Sequence, residues 1–75
     1  MSDVRRFTAM IYRENDGCVA LCPELDVASQ GDSVEEASAN LREAVELFIE
    51  TADPSEIAAR MEGELYVTAL EVSAG

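Results

Sequence analysis

The chain opens on a two-residue rhythm. Between residues 4 and 13, Phe7, Ala9 and Ile11 alternate with Thr8, Met10 and Tyr12, a strand with apolar groups on both faces. Glu14-Asn15-Asp16-Gly17 is turn chemistry, with Asp16-Gly17 expected to supply the positive φ of a hairpin. Residues 18–22 return as a second strand, and Pro23 ends it because it has no N–H for the ladder. Residues 25–29 read as a third, short strand stopping at Gly31.

The rhythm then lengthens. Ser33-Val34-Glu35-Glu36 fits a capping box, in which the Ser33 hydroxyl and the Glu36 carboxylate each accept from a backbone N–H. Val34, Ala37, Leu41, Ala44, Val45, Phe48 and Ala52 follow at three- and four-residue spacing, one apolar stripe along a helix. Glu35, Glu36, Glu43, Glu46 and Glu50 fall on the opposite arc, where a solvated helix face explains them better than a catalytic or metal cluster. Asp53-Pro54-Ser55-Glu56 starts a second, short helix through Met61, with Asp53 as N-cap, Glu56 completing the box and Gly63 as C-cap. Residues 65–72 alternate again, Leu65, Val67 and Ala69 against Tyr66, Thr68, Leu70 and Val72, and read as a last strand.

The predicted architecture is α+β, in two layers and in the order β-β-β-α-(short α)-β. One long helix covers one face of a mainly antiparallel four-stranded sheet, within a single domain over residues 1–75. The other face would carry Met10, Tyr12, Leu70 and Val72 into water, and Leu47 lies outside the helix stripe. That much uncovered apolar surface predicts a homodimer or a dimer of dimers.

Composition narrows the class. The chain has 75 residues, 48% of them hydrophobic, so a core is affordable near the lower size limit for independent folding. No apolar run is long enough to span a membrane and no basic-then-apolar leader is present, so a cytoplasmic protein without membrane contact is expected. Sixteen acids against five bases give a formal charge of -11. Such a surface repels phosphate backbones, so direct nucleic-acid binding is not expected. It suits a basic protein partner, although solubility, or a salt-rich or lysine-avoiding source, is the readier account of the charge.

Chemistry is scarce. His, Lys and Trp are absent, so neither a nucleophile–His pair nor a Lys base can be assembled. No catalytic residue, cofactor or metal is predicted, and the chain reads as a binding protein rather than an enzyme. The Glu14-to-Gly17 turn lacks the spacing and twelfth-position ligand of a calcium loop. Cys18 and Cys22 sit four apart on one strand, roughly 13 Å between Cα atoms at about 3.3 Å per residue, too far for a disulfide. Free thiols follow.

The ordered residues Glu14, Asp16 and Gly17, then Pro23, Glu24 and Leu25, then Gln30, Gly31, Asp32 and Ser33, then Glu35, Glu36 and Ala37, then Asn40, Leu41 and Ala44 resemble the HicB family of antitoxins. The likeness runs from about Phe7 to Glu50. Family members usually carry Pro-Gly and Cys where this chain has Asp26, Val27 and Ala28, and many continue into a C-terminal DNA-binding segment, which the chain is not expected to carry.

The resemblance implies a partial ribonuclease-H-like fold and a toxin-neutralising role. The partner would be a small, basic HicA-type ribonuclease, covered by the acidic domain so that RNA is excluded. Glu35, Glu43, Glu46, Glu50 and Asp16 are the expected contacts. Pro23, Glu24, Gly31, Asp32, Ser33 and Asn40 are expected to shape the turn and cap the helix. An orphan HicB-like oligomeric module, serving a different protein partner or a small ligand, is the alternative.

Overall fold

The computed structural model describes residues 5–63 and 65–75. Three strands, β1 (Met10–Glu14), β2 (Gly17–Cys22) and β3 (Val27–Gly31), form an antiparallel meander in the order β1-β2-β3. Two helices follow, α1 (Val34–Thr51) and α2 (Pro54–Met61).

The pairing register sorts the side chains by face. Ile11 lies opposite Ala20 and Ala20 opposite Ser29, while Cys22 pairs with Val27 and Cys18 with Gly31. This side faces α1. It buries Cys18, Ala20 and Cys22 together with Leu25 and with Ala37, Leu41 and Val45 of the helix. Phe7, Ile11, Val27, Phe48 and Ile49 close the edges of that core. The alternate row, Met10 with Leu21 and Tyr12 with Val19, forms the opposite face, and Met10 and Tyr12 are exposed there.

Small residues let helix and sheet approach closely. A Cβ on Gly31 would stand 2.6 Å from the Ala37 backbone nitrogen, so only glycine fits beneath the first turn of α1. The expected turn role of Gly31 is therefore replaced by a steric one: it is the last residue of β3, and its φ is not positive. The hairpin differs similarly, since Asn15, not Gly17, takes the left-handed conformation, with φ 56°. Asn tolerates that region because its short polar side chain can bond locally.

The third strand begins two residues later than expected. Residues 23–26 form a turn between the paired Cys22 and Val27, with Asp26 at φ 56° and Leu25 fully buried. Pro23 cannot continue the ladder, so the chain reverses before pairing resumes.

The sheet has three strands, not four. Residues 65–75 adopt no regular secondary structure, so the strand expected over residues 65–72 does not form among the described residues. Alternation makes a segment able to be a strand, but a ladder also needs an edge that accepts it, and periodicity does not name one. The start of the first predicted strand, Val4, lies outside the described residues, and residues 5–9 precede β1 without a ladder of their own.

The helices depart in detail. Val34 is exposed and Ala52 is the C-cap of α1, so the buried stripe is shorter than the spacing implied. Asp53 makes no side-chain cap bond, Pro54 occupies the first turn of α2, and Glu56 pairs with Arg60 at 3.0 Å rather than completing a box. The C-cap is Glu62, in helical geometry, not Gly63. Among the described residues, no helix is long and apolar enough to cross a membrane.

Candidate functional site

The Pro23–Leu25 turn is held from both sides. Extending the β1–β2 register by two places sets Thr8 opposite Pro23, where the ladder has already ended. The Glu24 carboxylate takes over as acceptor: the Thr8 N–H donates to its two oxygens at 3.0 and 2.9 Å, and the Thr8 hydroxyl donates at 2.7 Å. Partial burial works against the charged form, but the hydrogen bonds from Thr8 outweigh it and hold the carboxyl below its ordinary range. The Cys22 thiol also points at this carboxylate, 3.6 Å away. Burial, and then the neighbouring Glu24 charge, push that thiol above its ordinary value.

On the other side, the Arg60 guanidinium donates to the Leu25 carbonyl and lies 4.8 Å from the centre of the Phe48 ring. With buried Ile57, this fastens α2 to α1 and the turn. Neither the Thr8 nor the Arg60 contact was legible in the sequence, because each joins residues far apart in the chain.

The helix start is built as its spacing implied, with one shift. The Ser33 hydroxyl accepts from the Glu36 N–H at 3.1 Å, while Glu36 accepts from the Asp32 N–H at 3.3 Å, one residue earlier than a capping box requires. Asn40, one turn further on, donates to the Gln30 carbonyl at 2.8 Å and ties α1 to β3. Pro23, Glu24, Gly31, Asp32, Ser33 and Asn40 thus all lie in the turn or at the junction of β3 with α1.

The candidate partner-binding acids divide differently. Glu35, Glu43, Glu46 and Glu50 are exposed on α1, and at about 100° per residue they fall within an arc of about 80°. Asp16 is also exposed, but at the tip of the β1–β2 turn and not on that arc. The acidic arc can present charge to a partner; none of its members is buried, as an acid or base tuned for catalysis would be. Cys18 and Cys22 are both buried and unpaired. Among the described residues, no group of three or more His, Cys, Asp or Glu is placed to share a metal ion.

A groove of 830 Å³ lies between residues 5–9 and α1, with Arg5, Arg6 and Arg42 on its walls and Phe7, Leu41, Val45 and Ile49 supplying apolar surface. No local pattern points to it, since it is the space left when α1 settles over β3 and β2 and barely reaches β1.

The chain is 44% identical over 50 residues to the UPF0150 protein ssr1765 of Synechocystis sp., a match covering 64% of this chain and 63% of that protein. It is a homologue of a UPF0150 protein over that stretch, and the match spans less than two thirds of the relative's length. No family model matches the chain. No solved structure matches it either.

Proposed function

We propose that this chain is a HicB-like antitoxin domain that binds a small, basic HicA-type ribonuclease and neutralises it by covering its RNA-binding surface. The observation that carries this reading is the exposed acidic arc of α1, Glu35, Glu43, Glu46 and Glu50, on a chain of net charge -11. A fixed helical row of carboxylates meets a basic surface with complementary potential, speeds encounter and excludes the polyanion that would otherwise bind there. The ordered HicB-like residues from Glu14 to Ala44 support the family, and their contacts at the turn and helix start account for their spacing. Neutralisation is binding, not chemistry, which suits a chain lacking His and Lys. We further propose that the chain works in the cytoplasm.

The experiment begins with the neighbouring reading frame. A short basic gene encoding a His is expected there, and co-expression of the chain should restore growth arrested by its product. The two proteins should elute together on gel filtration. Arrest without rescue, together with separate elution, refutes the proposal. The groove between residues 5–9 and α1 favours a second reading, an orphan oligomeric module with another partner, which predicts no toxic neighbour.

A further inference from the structure

The residues on one wall of the groove, 5–9, lead directly into β1, whose outer edge is unfilled. β1 pairs with β2 on one side, and among the described residues no strand takes the hydrogen-bonding groups on the other side of β1. Such an edge is a template for another strand. A strand laid there would meet two apolar surfaces: Leu41, Val45 and Ile49 of α1 on one face, Met10 and Tyr12 on the other.

Residues 65–72 have the pattern this site requires. Both rows of their alternation are mainly apolar, with Glu71 in one and Thr68 in the other, yet they belong to no strand, and Val67, Leu70 and Val72 are 66%, 85% and 71% exposed. A strand with one wet face would need only one apolar row.

Charge points the same way. Arg5, Arg6 and Arg42 line the groove together with Glu46, so bases outnumber acids there in a chain of net charge -11. From residue 62 onward the sequence carries Glu62, Glu64 and Glu71 and no base.

We propose that residues 65–72 of a second copy of this chain dock in the groove as a fourth strand on the β1 edge, reciprocally, giving a two-fold symmetric dimer. Exchange between copies is favoured over closure within one chain by the hinge. Only residues 62–64 separate the end of α2 from the segment, and α2 is itself held by Ile57 and Arg60. Short hinges promote swapping of identical elements. Main-chain hydrogen bonds along β1 supply affinity, and the two apolar rows supply register.

Light scattering at micromolar concentration should give twice 8.1 kDa. Val67→Lys with Leu70→Lys should raise the dissociation constant more than about tenfold while leaving the helical signal in the far-ultraviolet circular dichroism unchanged, since each removes an apolar side chain that docking would bury. Arg42→Glu, an exposed position on the groove wall, should weaken the dimer most at low salt. Mixed labelled and unlabelled protein should show nuclear Overhauser contacts between the segment of one copy and Phe7 and Ile11 of the other. A species of 8.1 kDa overturns the proposal, whether the segment is loose or docked within its own chain. So does a dimer indifferent to both variants, which would be joined by another surface.

Discussion

Thr8 and Glu24, sixteen residues apart, are joined through two donors of one and both carboxylate oxygens of the other. The acidic side chain continues a ladder that Pro23 has ended, so a single residue fastens the segment before β1 to the turn after β2. Glu24→Gln should therefore cost about 1–2 kcal/mol, because one oxygen acceptor becomes a donor facing donors. Urea unfolding at neutral pH measures it.

The same contact predicts a pH dependence. The folded carboxyl titrates below its ordinary value of 4.5, so its contribution is complete above that pH and is lost as pH falls through the depressed folded value. Wild type should lose more stability than Glu24→Gln between about pH 6 and pH 3. Equal losses would mean that the ionised form of Glu24 has no preferred partner in the folded chain.

Gly31→Ala tests the contact between β3 and α1. The new methyl would sit 2.6 Å from the Ala37 nitrogen and 2.9 Å from the Glu36 carbonyl carbon, both backbone, so neither can swing aside. A loss of about 1–3 kcal/mol is expected. The melting temperature should drop accordingly, while Gly63→Ala, with nothing within 4 Å, should leave it nearly unchanged.

Arg60→Ala removes the guanidinium from the Leu25 carbonyl, the Phe48 ring and Glu56. Hydrogen exchange should quicken in α2 before it does in β2 or α1, since α2 buries little besides Ile57. Uniform loss of protection across all elements would show that α2 is integral to the cooperative core.

Cys18 and Cys22 should react slowly with an aromatic disulfide reagent at pH 8 until the chain is denatured, and should not pair with each other. Both are buried, and at Cys22 burial and the Glu24 charge oppose the thiolate that must attack. Replacing both with Ala should destabilise modestly. A mass loss of two hydrogens in the native protein would contradict the arrangement.

Replacing Glu35, Glu43, Glu46 and Glu50 together with Gln should leave stability nearly unaltered, as exposed helix residues rarely contribute much. It should slow association with a basic toxin and flatten its salt dependence. Rescue of growth that survives all four changes would move the contact surface off this arc.

Much of the fold follows from local pattern. The alternation around Ile11 and Ala20, the Asn15-Asp16 turn and the Ser33 cap are all decided by neighbours in sequence. What local pattern could not supply is any choice of distant partner. Leu25 looks like the start of a strand but is buried in a turn, because Pro23 stops the ladder and Arg60 secures the Leu25 carbonyl. Residues 65–72 look like a strand and are not one, because β-periodicity is indifferent to which edge receives it. For the acids, helical spacing placed four on one arc, whereas the position of Asp16 depends on how the hairpin meets the helix.

The seven residues of the buried cluster all lie between Cys18 and Val45, each strand follows its pairing neighbour directly, and α1 closes over the strand that immediately precedes it. Contacts so short in sequence close quickly. The buried cluster can therefore close without α2 or residues 65–72, which follow all of its members in the chain. The final segment therefore meets an already folded body, with its edge and groove in place, rather than taking part in making it.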